Sequence, residues 1–208
     1  MDISVLLPTR NRPELLESSI RSLLNLADDP QTGEILLAVD PDAPAKLPAG
    51  LWGGGLVWEA PERYGSVRMH EYYNHLAHLA QGRWLMIWND DVRMLTPHWD
   101  SAVRANPGCC LWLDHGDTGP EHCNMFPVWP RAWTEALGHI ADGSPRVDTW
   151  IQEVAELLGR QVKIPVQVRH ESPDDLTWRE GRDYRLPEFH ALRHLRERDA
   201  HELRTCGF

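Results

Sequence analysis

Apolar residues gather in short unbroken runs, separated by stretches in which they recur every three or four positions. Residues 3–8 (ISVLLP), 34–39 (EILLAV) and 83–88 (RWLMIW) are the clearest runs. They are too short for helices and unbroken rather than alternating, as expected of strands buried on both faces. Residues 56–58 make a weaker strand. After the first run, Pro13 opens a stretch where Leu15, Leu16, Ile20, Leu23 and Leu24 fall at helical spacing. Proline suits a first helical turn, where its missing N–H costs nothing. A second helical stretch, 66–80, has its apolar positions at Val67, Met69, Tyr72, Leu76 and Leu79. This alternation predicts an α/β fold: a mostly parallel, Rossmann-like sheet with helices on both faces.

The second half is less regular. Residues 109–113 (CCLWL) predict a strand, 124–128 another short one, and 131–137 a short helix. The helix predicted over 147–158 is opened by Asp148-Thr149 and closed by Gly159. Residues 162–168 (VKIPVQV) make a last strand, just before His170. A charged, helix-like tail follows over 185–204. Seven arginines face six acids between Trp178 and Arg204, which predicts a solvated face of mixed sign. With no repeat, low-complexity tract or long linker, the expectation is one domain over 1–208. It divides into a regular first part (1–91), a less regular second part (92–170) and a tail (171–208).

Charge and composition narrow the picture. A net charge of −10 argues against general affinity for nucleic acid, which normally shows as a basic stripe. No run of 18 apolar residues is present, so no membrane span is expected. The first strand starts at Ile3, leaving no room for a signal peptide, and a cytoplasmic home is the expectation. Cys109, Cys110, Cys123 and Cys206 include no CxxC pair, which predicts reduced, mostly buried thiols. Of ten tryptophans, Trp84, Trp88 and Trp112 lie inside apolar runs and are expected in the core. Others could line a sugar site, since a pyranose face stacks on an aromatic ring.

The candidate chemistry sits where strands end. In open α/β sheets ligands bind beyond the carboxyl ends of the strands. The first strand closes on Pro8-Thr9-Arg10-Asn11-Arg12, the second on Asp40, and the fourth on Asn89-Asp90-Asp91. Adjacent carboxylates after a buried strand offer hard oxygen ligands suited to Mn2+ or Mg2+. Each residue alone could be a turn former, a cap or a surface charge. Gathered at neighbouring strand ends, they describe a site.

These segments resemble glycosyltransferase family 2, a group of GT-A fold enzymes. ISVLLPTRNRPELLESSIRSLL is similar to that family's opening strand, Pro-Thr pair, polar turn and helix, and EILLAVDPD to its second strand with a terminal Asp. Residues 65–91, with Asn74, Gly82 and Asn-Asp-Asp, resemble the path into the metal-binding DxD motif. CNMFPVWPRAWTEALGHI resembles the acceptor-side strand and helix, and VDTWIQEVAELLG the helix opened by an acidic residue. The resemblance covers roughly residues 3–170 and implies a smaller acceptor-side sheet beside the main one.

It also implies roles. Pro8, Thr9, Arg10 and Arg12 would lie near the nucleotide, and Asp40 would hold the base. Asn89, where the family usually has Asp, would face the ribose beside Asp90. Asp91 and the late His170 would bind the metal. Asp148 would be the catalytic base, or simply a helix N-cap, with Asp142 the alternative base. The implied reaction moves a sugar from a nucleotide-diphosphate sugar, UDP first, to an acceptor hydroxyl with inversion. The acceptor (glycan, small molecule, protein or modified DNA base) stays open.

Competing classes read less well. A sugar nucleotidyltransferase or a dinucleotide-dependent oxidoreductase needs a glycine-rich loop after the first strand, where TRNRPE carries no glycine. A non-catalytic nucleotide- or glycan-binding module of the same fold draws support from Asn89.

Overall fold

The computed structural model describes residues 1–48, 54–116, 125–171 and 186–208. Strands β1 (Ile3–Thr9), β2 (Gly33–Val39), β3 (Gly54–Glu59) and β4 (Trp84–Ile87) run parallel in the order β3-β2-β1-β4. Helix α1 (Pro13–Leu26) follows β1, and α2 (Met69–Leu79) precedes β4 after one 3-10 turn, Ser66–Arg68. Beyond β4 come β5 (Val92–Met94), α3 (Trp99–Arg104), β6 (Cys110–Asp114), β7 (Val128–Pro130), α4 (Arg131–Leu137), α5 (Val147–Leu158) and β8 (Gln161–His170). Two helices, α6 (Leu186–Ala191) and α7 (Arg193–Thr205), end the chain.

The full sheet order is β3-β2-β1-β4-β7-β6-β8-β5. β7 is antiparallel to β4 and β6, β8 is parallel to β6, and β5 closes antiparallel on the end of β8. Strands β7, β6 and β8 therefore extend the main sheet edge to edge. The smaller antiparallel ladder of β5 with β8 hangs on its far end.

Alternation along the central strands splits the core in two. Leu6, Leu36, Leu85 and Ile87 face α2, α4, α5 and α7. Val5, Leu7, Ile35, Leu37, Met86 and Trp88 face α1 and α3. Both faces are covered, which is why β1 and β2 show unbroken apolar runs. The entry to β4 is pinned from below. Glu34, inside β2, accepts hydrogen bonds from the Ser4 hydroxyl (2.5 Å) and the Gln81 amide (2.6 Å). At Gly82 a Cβ would lie 2.6 Å from the Ser4 nitrogen, so only glycine fits that crossing.

Several expectations shift. β5 and α3 carry too few residues to show a period and were not foreseen from sequence. The strand expected over 124–128 lies instead at Val128–Pro130, and residue 124 falls outside the described residues. Trp84 and Trp88 are buried as expected, but Trp112 is half-buried. Cys110 is buried, Cys109 half-buried and Cys206 exposed, all unbridged; Cys123 lies outside the described residues. The tail is not simply solvated: α7 buries Arg196, Asp199, Ala200 and Leu203. Arg196 is 1% exposed, bonds Glu153 at 2.7 Å and the Phe189 carbonyl at 2.8 Å, and lies 3.8 Å over the Phe189 ring. Among the described residues no helix is long and apolar enough to cross a membrane.

Candidate functional site

The carboxyl ends of β1, β2 and β4 deliver the polar residues to one edge of the sheet. β1 turns into α1 through Asn11, whose φ of +54° is the left-handed conformation a tight polar turn needs. Proline at the first turn of α1 then starts the helix. This turn aims Thr9 and Arg12 at the end of β4. The Thr9 hydroxyl donates to Asp90 Oδ2 at 2.7 Å. Arg12 Nη1 donates to Asp90 Oδ1 (3.2 Å) and to Asp91 Oδ2 (2.9 Å).

His170 reaches the same cluster by strand register. β5 pairs Val92 with His170, and the Glu171 amide donates to the Asp91 carbonyl at 2.7 Å. His170 Nε2 then lies 2.8 Å from Asp91 Oδ1. Thr9, Arg12, Asp90, Asp91 and His170 are thus one bonded group. Its carboxylates are tuned apart. Burial pushes the Asp90 carboxyl up, only partly offset by Thr9 and Arg12. Burial also pushes Asp91 up, but the His170 bond and the charges of His170 and Arg12 outweigh it and hold Asp91 below the usual range. An ionised carboxylate only accepts, so His170 donates through Nε2 here.

A second group forms around buried Asp40. Tyr72 on α2 donates its hydroxyl to Asp40 Oδ1, and Arg10 Nη1 donates to Oδ2 at 2.8 Å. Arg10 also grips Asp42 at 2.5 and 2.8 Å. The Tyr72 hydroxyl accepts from the amides of Tyr64 (2.9 Å) and Gly65 (3.0 Å), tying that loop to the end of β2. Burial, then the Asp40 bond, push the Tyr72 phenol up to about 12. Pro8 is half-buried in register with Ala38 between the two groups.

Asn89 is held from below. Its carbonyl accepts from Ser19, which itself accepts from the Trp88 indole at 2.8 Å, and its side-chain oxygen lies 3.4 Å from the Tyr73 hydroxyl. Burial raises the Tyr73 phenol, and the charges of Asp148, Asp90 and Asp91 raise it further, so all three carboxylates act on one hydroxyl. Asp148 is the second residue of α5 rather than its cap, which is Arg146. Its Oδ1 accepts from the Thr149 amide at 2.7 Å, and burial pushes its carboxyl up. The loop before α5 is clamped by Asn74, which bonds the Ile140 amide (2.7 Å) and the Ala141 carbonyl (2.8 Å). Asp142 is exposed and lies 3.5 Å from Arg198 on α7.

Tyr72, Tyr73, Ser19 and Asp42 were missed from sequence. The tyrosines sit on the buried side of α2, where their apolar spacing shows and the direction of their hydroxyls does not. For a divalent cation the donors fit in kind: Asp91 brings an ionised carboxylate and His170 an imidazole. No group of three or more metal-capable side chains occurs among the described residues. Two protein ligands completed by substrate oxygens is a common arrangement for cations that bind with phosphates.

No protein-family model matches the chain, and no curated protein matches it in sequence. Solved structures do. A mannosyltransferase, PcManGT from Pyrobaculum calidifontis in complex with GDP-Man and Mn2+, superposes with a TM-score of 0.63 at 16% identity, covering 83% of this chain and 57% of that one. S. aureus TarS 1–349 in complex with UDP-GlcNAc gives 0.63 at 12% identity, covering 85% and 61%. The same TarS segment in complex with UDP gives 0.57 at 13%, covering 83% and 58%. The likeness shows the fold, a GT-A-like glycosyltransferase fold, and the chain spans about three fifths of the length of these structures.

Proposed function

We propose that this chain is a metal-dependent glycosyltransferase that moves a sugar from a nucleoside-diphosphate sugar to an acceptor hydroxyl with inversion. The observation carrying the reading is the bonded group of Thr9, Arg12, Asp90, Asp91 and His170 at the strand ends of a GT-A-like sheet. Neighbours of this fold solved with GDP-Man and with UDP-GlcNAc support a nucleotide-sugar donor, and UDP is the first to test.

In this reading Asp40, with Arg10, contacts the base. Asn89 and Asp90 face the ribose, and Pro8, Thr9 and Arg12 line the path to the diphosphate. Asp91 and His170 hold the metal, which when bound offsets charge on the departing diphosphate. Asn89 brings an amide, whose N–H groups can donate, where the related pattern has a carboxylate that only accepts. Asp148 takes the proton as the acceptor oxygen forms its bond to the anomeric carbon and the bond to the diphosphate breaks. Its raised affinity for a proton suits a base.

The test is transfer or slow hydrolysis of UDP- and GDP-sugars, with Mn2+ and with EDTA, by wild type and Asp91→Ala. Metal-dependent turnover lost in Asp91→Ala supports the reading. Metal-dependent nucleotide binding with no turnover on any donor favours the non-catalytic module that Asn89 leaves open.

A further inference from the structure

One nitrogen, Arg12 Nη1, bridges Asp91 Oδ2 at 2.9 Å and Asp90 Oδ1 at 3.2 Å. Those oxygens belong to adjacent, buried carboxylates that would repel each other if left without a cation. The remaining Asp91 oxygen is engaged by His170 at 2.8 Å. Each Asp91 oxygen therefore already carries a donor, and on Oδ2 that donor is a cation with which an incoming metal must compete. The Arg12 side chain is a quarter exposed, so it has a way out towards solvent.

We propose that Arg12 is a resident cation that competes with the divalent metal for Asp90 and Asp91, and so makes metal binding depend on the diphosphate. The proposal rests on Asp91 and His170 being the metal ligands. Without a nucleotide, a cation must displace Arg12 and leave its charge beside the incoming charge. With a diphosphate present, Arg12 exchanges carboxylate oxygens for phosphate oxygens, partners its planar fork matches equally well. The carboxylates are then released to the metal. Metal and nucleotide each raise the affinity of the other by the same factor, because the coupling is reciprocal. The position of Arg12, in the turn between β1 and α1, lets it swing from the end of β4 without moving either element.

The experiment measures Mn2+ binding to the full chain by titration calorimetry, with and without UDP, for wild type, Arg12→Gln and Arg12→Lys. Arg12→Gln binds Mn2+ alone about tenfold more tightly than wild type, equivalent to about 1.4 kcal/mol. The enhancement by UDP shrinks by the same factor. Arg12→Lys, which keeps the charge, binds Mn2+ alone as weakly as wild type and guards against a folding defect in Arg12→Gln. Equal Mn2+ binding by wild type and a cooperatively melting Arg12→Gln overturns this proposal and leaves the metal reading standing. No Mn2+ binding by any of the three, with or without UDP, overturns both.

Discussion

Two buried aspartates in this protein keep nearly the same company in different settings. Asp91 receives His170 at 2.8 Å and Arg12 at 2.9 Å. Asp199 receives His139 at 3.0 Å and Arg198 at 2.9 Å, with the Trp150 indole at 3.0 Å as a third donor. Both are held below the usual carboxylate range against a burial that pushes them up. What separates them is where their partners lead. Asp91 stands at the end of β4, beside Arg12 and His170, which are each a quarter exposed and belong to elements that end there. Asp199 lies 0% exposed inside the packing of α5 and α7, where the Trp150 ring is also fully buried. A His-Asp-Arg set is therefore no evidence of a site by itself. A site also needs a place where a ligand can enter: Asp91 stands at a strand end, whereas Asp199, although its partner Arg198 is 48% exposed, is itself sealed between α5 and α7.

The largest effects should divide cleanly between the two. Asp148→Asn removes the proposed base, and turnover should fall about 10²–10⁴-fold with nucleotide binding kept. Asp91→Asn should lower kcat/KM by at least about 100-fold, roughly 2.7 kcal/mol of transition-state stabilisation. Its melting temperature should move by less than half as much as that of Asp199→Ala. Asp199→Ala leaves His139 and the fully buried Trp150 indole without their acceptor in the helix interface, where breaking a buried pair costs about 3–5 kcal/mol. For a chain of this size that is a drop in Tm of roughly 6–20 °C. The protein that remains folded should keep its kcat. A stable Asp199→Ala with collapsed turnover would erase the distinction between the two aspartates.

The contrast also explains what could be read from sequence. β1, β2 and β4 were legible because strands covered on both faces show unbroken apolar runs, and the polar residues that follow them then fall at one sheet edge. The group around Asp90 and Asp91 followed from that. Its closure by His170 was expected only from the family resemblance, because the register that places His170 depends on β5, three residues with no readable period. Tyr72 looked like a core position of α2, its neighbour Tyr73 drew no expectation, and both are buried. That their hydroxyls meet Asp40 and Asn89 is a property of helix rotation against the sheet, invisible in spacing alone. In the tail, composition pointed to a solvated face. Burial of Arg196 and Asp199 depends on partners supplied by α5 and by the loop after α4, distant in sequence.

The smallest expected effect tests the sealed set through its histidine. Burial works against a charge on His139, but the bond to Asp199, then the charges of Asp199 and Asp142, outweigh it and the opposing charge of Arg198, so its pKa is raised. A histidine with a raised folded pKa stabilises fully below its unfolded value, about 6.5, and loses that contribution as pH rises through the folded value. Asp199, held low, contributes above the unfolded carboxylate value and loses its share only as pH falls through its own lowered pKa. The pair is therefore strongest in mildly acidic solution. His139→Gln removes a charged hydrogen bond worth about 1.5–3 kcal/mol. The gap in Tm between wild type and His139→Gln should be widest near pH 5.5 and narrow steadily towards pH 8. His70 and His75, both shifted down by burial, pull the absolute curves the other way, but they are common to both proteins and cancel in the difference. A gap that stays constant over that range would mean His139 is neutral in the interface and Asp199 is held by Arg198 and Trp150 alone.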